Sequence, residues 1–237
     1  MSHMCICAYK LAPMSLWDRI TGTAQSVLET LKSVVSNGEA ASGVAFTIAV
    51  IALAAKMAKA DGVVTPDEVE AFSQVFSVEP GDETHVSRVF NMARQDVAGF
   101  DSYARQIAGM FRDNPGVLED LMDGLFHIAR ADGVVHADEI AFLHEVAGIF
   151  GFSDFEFARI RASNTGEAVA DPYLVLGVTP DASDADLKKA YRRAVTENHP
   201  DRLMARGVPP EFVALANDKL AVINIAWGEL KKQRKIT

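Results

Sequence analysis

Cysteine is nearly absent from this chain: Cys5 and Cys7 are the only two, and both fall within the first seven residues. That count excludes a disulfide framework, and one Cys-x-Cys pair without further cysteines or a metal-type histidine cluster is a weak zinc signal. A reducing cytoplasm fits. Long apolar runs are also missing. The uncharged interval from Gly43 to Ala55 is shorter than the roughly 17–25 apolar residues of a membrane helix, so the stretch Ala40–Lys59 reads as a central buried helix. There is no low-complexity tract and no long run of like charge that would mark disorder. No nucleophile–base pair is visible, so an enzyme is not expected, and neither is a cofactor.

What is present describes an ordinary globular chain. Its 237 residues are 49% hydrophobic and 23% charged, which suits one or two domains. The net charge of −9 is unevenly placed. Residues 54–165 hold 9 Lys/Arg against 19 Asp/Glu, whereas residues 171–237 hold 11 against 9. An acidic body carrying a mildly basic tail argues against nucleic-acid binding by the body, because phosphate contacts need clustered cations. It suits a tail that is steered onto an acidic protein partner.

Residues 1–13 show no periodicity and read as an extension. Residues 14–38 hold an amphipathic helix carrying Leu16, Trp17, Ile20, Ala24, Val27, Leu28 and Leu31, closed by Asn37-Gly38. Membrane-surface or partner docking is one reading of it. Folding back onto the neighbouring domain is the other, and the lack of a Lys/Arg excess on its polar face favours that one.

The middle of the chain repeats itself. Lys59-Ala-Asp-Gly-Val-Val-Thr-Pro-Asp-Glu-Val69 recurs as Arg130-Ala-Asp-Gly-Val-Val-His-Ala-Asp-Glu-Ile140, which implies a pseudo-symmetric helical domain over residues 40–163. Gly62 and Gly133 suit the left-handed turn that closes a helix. Val63-Val64 and Val134-Val135 would then insert into the corner, and Thr65 with Glu68 would form a capping box that His136 serves less well. Between the copies, residues 82–96, 99–113 and 115–130 read as helices, followed by Phe152–Ile160. Asp61, Glu68, Asp132 and Glu139 are the candidate metal ligands, since converging oxygens suit a hard cation. The spacing lacks a calcium-loop ladder, and capping explains these residues without a metal.

Ser163 to Asp171 is polar and aperiodic, so residues 164–170 read as a linker that lets residues 171–237 swing. Beyond it, Leu187, Ala190, Tyr191 and Ala194 form one apolar stripe of a helix whose remaining surface holds Lys188, Lys189, Arg192 and Arg193. The helix runs into His199-Pro200-Asp201. Pro200 removes a donor and biases His199 out of the helical region, leaving imidazole and carboxylate on a fixed, exposed corner.

This helix and turn, preceded by Asp171-Pro-Tyr-Leu-Val-Leu-Gly-Val178 and followed by the helical Glu211–Lys232, resemble the J domain of DnaJ-type (Hsp40) co-chaperones over residues 171–237. The resemblance implies docking on an Hsp70 (DnaK-type) partner and stimulation of its ATP hydrolysis. It assigns the docking to Lys188, Arg192, Arg193, His199, Pro200, Asp201 and Arg202. Asn198 departs from the aromatic or basic residue usual before the turn, which would trim affinity. The Ala-Asp-Gly-Val-Val repeat with its flanking helices resembles the TerB domains named for tellurite resistance. TerB-like then J domain is the order of DjlA-type DnaJ-like proteins, which typically begin with a membrane anchor not found here. A Gly/Phe-rich segment, zinc-binding cysteine repeats and a β-sandwich client domain are not found either, so targeting is assigned to the TerB-like body. The expected fold is all-α: a pseudo-symmetric helical domain followed by a small helical hairpin. A stress-response adaptor that senses a metal or ligand through the acidic body is the alternative.

Overall fold

The computed structural model describes residues 49–57, 99–131, 133–165, 171–208 and 212–236. Among these residues every regular element is a helix, as expected for an all-α chain. The body comprises α1 (residues 49–57), α2 (Phe100–Met110), α3 (Pro115–Ala129), α4 (Ala137–Phe150) and α5 (Asp154–Thr165). The tail region comprises α6 (Pro172–Val175), α7 (Asp184–Glu197), α8 (Pro200–Ala205) and α9 (Val213–Arg234).

The described part of the apolar interval read as a buried helix, residues 49–57, is a buried helix. Ala49, Val50, Ile51, Ala52, Leu53 and Ala55 have no solvent exposure, and Lys56 places its ammonium over the Tyr103 ring, 5.0 Å from the centroid. Among the described residues no helix is long and apolar enough to cross a membrane. Tyr103 and Ile107 of α2, Leu121, Leu125 and Phe126 of α3, and Leu143 and Val146 of α4 share one buried core with α1. Gly133, at φ +94°, takes the left-handed turn expected of the second repeat; the first repeat lies outside the described residues, as do residues 14–38 and 82–96. The two valines that follow Gly133 do not both turn inward. Val135 packs against the core, whereas Val134 is 60% exposed.

The segment read as a linker is partly helix. Ser163, Asn164 and Thr165 continue α5, each returning its side chain to a carbonyl four residues back: Arg159, Ile160 and Arg161. Residues 166–170 lie outside the description.

The tail region has a core of its own, in which Leu187 and Ala190 of α7 meet Ile223, Ala226 and Leu230 of α9, with Val175 and Leu176 beneath. Tyr191 stacks on Trp227 with ring centroids 4.9 Å apart and donates to Asn224 Oδ1 at 3.0 Å, so it braces α7 against α9. The first half of α9 serves a different neighbour. Leu203, Val208, Phe212 and Ala216 belong to the body's core cluster. Phe212 lies so close over Gly124 of α3 that a β-carbon there would meet its ring at 2.7 Å. The helical hairpin is therefore packed on the body rather than free to swing from it.

Candidate functional site

The exposed corner is built by capping. Ser183 starts α7 by accepting from the Asp186 amide at 3.2 Å, and Asp184 and Asp186 place carboxylates at the positive helix end. At the other end the Asn198 amide side chain donates back to Ala194 O at 2.8 Å. Asn198 is buried, which explains the departure noted at this position: its side chain closes α7 instead of facing outward.

His199 then leaves the helix with φ −70° and ψ 135°, and Pro200 begins α8 at a position where a missing N–H costs nothing. The Asp201 amide donates to His199 Nδ1 at 3.2 Å, while Arg202 N and Leu203 N donate to His199 O at 2.9 and 3.1 Å. The imidazole is thus the cap of α8. Its Nδ1 lies 3.7 Å from Asp201 Oδ2, and the Asp201 side chain is 82% exposed. The result is a carboxylate held on a fixed corner and open to solvent. Such a group forms charge-assisted hydrogen bonds with an incoming arginine or lysine at low ordering cost.

The cations expected beside it do not all share one surface. Lys189, Arg192 and Arg202 are exposed and Lys188 is half-buried. Arg193 is exposed but lines a cleft of about 530 Å³ between tail and body, together with Glu119, Arg159, Glu197 and Lys219.

A second constellation, which sequence reasoning missed, joins the two regions. Glu119, Asp120 and Asp123 of α3 meet Arg159 of α5 and Arg206 and Lys219 of the tail. Arg159 forks onto Glu119 at 3.0 and 2.6 Å. Lys219 Nζ reaches Glu119 Oε1 at 2.8 Å and Asp123 Oδ2 at 2.7 Å, and Asn164 donates to the other Asp123 oxygen at 2.7 Å. Arg206 Nη2 lies 3.3 Å from both oxygens of Asp120. Burial alone would raise the Glu119 pKa, but Lys219 and Arg159 outweigh it and hold this carboxyl well below the usual range. At Asp120 burial prevails over Arg206 and pushes the carboxyl up to about 7. Lys219 goes the other way from burial: Asp123 and Glu119 raise it and keep it charged. The one signal available in sequence was Glu119-Asp120-x-x-Asp123 inside an otherwise apolar helix.

Residues 47–162 match the family model of the tellurite resistance protein TerB, and residues 171–237 match the DnaJ domain. The co-chaperone protein DjlA of Photobacterium profundum is 27% identical over 80% of this chain and 78% of its own length. DjlA of Coxiella burnetii is 29% identical over 76% and 74%, and that of Shewanella oneidensis is 34% identical over 45% of each. This chain is a J-domain protein of DjlA-type architecture. No solved structure gives a significant match.

The exposed corner is accordingly the His-Pro-Asp turn of a J domain, and α3 with its carboxylates belongs to the TerB domain. Of the metal candidates, Asp61, Glu68 and Asp132 lie outside the described residues. Glu139 is buried and accepts from the His136 amide at 2.7 Å, one half of a capping box, so its carboxylate is already engaged at the start of α4.

Proposed function

We propose that this chain is a co-chaperone that docks on an Hsp70 through Lys188, Arg192, Arg193, His199, Pro200, Asp201 and Arg202 and stimulates its ATP hydrolysis in the reducing cytoplasm. The observation that carries the reading is Asp201: an exposed carboxylate on a corner fixed by Pro200 and by the His199 cap. Basic side chains beside it speed encounter with an acidic surface, and the rigid carboxylate then engages a basic group of the partner. The hydrolytic chemistry is the partner's. Residues 40–163 supply targeting, and residues 171–237 supply the activation.

The test is single-turnover ATP hydrolysis by an Hsp70 of DnaK type with the purified chain. Wild type accelerates hydrolysis and Asp201→Asn does not, since the amide keeps the shape and loses the charge. Equal stimulation by both proteins would overturn the reading.

A further inference from the structure

Arg206 connects the body to the turn. It follows α8 directly, and its Nη2 donates to Glu197 O at 2.8 Å, two residues before His199. Glu197 ends α7, so its carbonyl is one of those that a helix leaves without an intrahelical donor. Arg206 supplies the donor. The His-Pro-Asp turn lies between the two residues that this bond joins, so the side chain closes the loop from α7 through α8.

The placing of Arg206 comes from the TerB domain. Its guanidinium lies beside Asp120, and both side chains are largely buried, at 16% and 6% exposure. It also rests on Gly116 in the first turn of α3, where any β-carbon would overlap Nη1. Yet the ion pair is poorly made. One nitrogen sits 3.3 Å from each carboxylate oxygen, while Arg206 Nε and Asp120 Oδ2 are buried without a hydrogen bond among the described residues. In the same cluster Arg159 makes the two-pronged pair with Glu119 that an arginine makes when the pair itself is optimised. At Arg206 the short bond goes to Glu197 O instead, so the geometry favours the turn over the ion pair.

We propose that Arg206 is a positioning residue for the His-Pro-Asp turn, set in place by Gly116 and Asp120 of the TerB domain, so that the body tunes how productively the J domain activates its Hsp70. This rests on the co-chaperone reading above. The basic face of α7 governs encounter, whereas the clasp governs the geometry of Asp201 once docked.

Two variants and two readouts test it. Gly116→Ala displaces the guanidinium from the body side without weakening α3, because alanine is the better helix former. Arg206→Met removes the clasp from the tail side. In both, hydrogen exchange of the amides in residues 199–204 accelerates by about tenfold or more, a local opening of the turn. In both, maximal stimulation of Hsp70 hydrolysis falls by about tenfold, short of the roughly hundredfold that a full ångström of misplacement can cost. The concentration giving half-maximal stimulation stays close to wild type. Unchanged exchange in Gly116→Ala, the variant that leaves the tail sequence intact, overturns the clasp whatever the hydrolysis assay gives. Faster exchange with unchanged maximal stimulation, where Asp201→Asn does abolish it, overturns the functional role of the clasp and leaves the co-chaperone reading standing. If wild type fails to stimulate, that reading fails and takes the functional role of the clasp with it; the exchange result still decides whether the clasp exists.

Discussion

Lys219 Nζ lies 2.7 Å from Asp123 Oδ2, and this contact crosses from the long helix of the J domain to a helix of the TerB domain with both side chains buried. The same ammonium holds Glu119 at 2.8 Å. A lysine buried in this way is tolerable only while both carboxylates remain, because an unpaired charge inside a protein is strongly unfavourable.

Among the described residues, Lys219→Met leaves Asp123 with the Asn164 amide and Glu119 with Arg159. The expected loss is about 3–5 kcal/mol of stability for the full chain, read from urea unfolding. Adding Asp123→Leu to Lys219→Met recovers a large part of it, since the stranded Asp123 charge is then gone while Glu119 keeps its pair with Arg159. A loss below about 1 kcal/mol in the single variant would show that the cluster does not hold the domains together.

Asp120 makes stability depend on pH in a stated direction. Its carboxyl titrates near 3.8 in the ordinary case and near 7 in the fold, where burial outweighs Arg206. Between those values the folded state holds a proton that the unfolded chain has released, so its contribution falls as pH rises and levels off above about 7. Relative to Asp120→Asn, which has no proton to lose, wild type is expected to lose on the order of 3 kcal/mol across that window. Glu119 works oppositely and at lower pH, and it is common to both proteins. Denaturant unfolding at a series of pH values checks this; parallel curves would refute it.

Arg192 is exposed on α7. Arg192→Ala is expected to raise the half-stimulating concentration in the Hsp70 assay by about threefold while leaving the maximum unchanged, as befits a steering charge. Raising the salt concentration narrows the gap between wild type and variant, because the interaction is screened. A fall in the maximum instead would place Arg192 in the docked geometry.

Much of the fold was legible in the sequence because its signals are local. The stripe of Leu187, Ala190, Tyr191 and Ala194, the stop at Pro200 and the left-handed Gly133 each depend on residues within a turn or two of one another. The long helix α9 was legible as a helix but not in its partners. Its first half faces the TerB core and its second half faces α7, so it carries apolar residues for two different neighbours. Ser163-Asn164-Thr165 looked like linker for a related reason: these polar residues are occupied by α5 carbonyls and by Asp123, which composition does not reveal.

The sequence by itself determined an all-helical chain with TerB then J domain order and the chemistry of the corner at His199, Pro200 and Asp201. Only the tertiary structure decided that the J domain is packed on the body, that Asn198 and Tyr191 serve the fold, and that Arg206 and Lys219 are buried. The physical reason is distance along the chain. Caps and helical periods are settled between neighbours, whereas a buried charge is decided by a partner far away, and Lys219 and Glu119 are 100 residues apart.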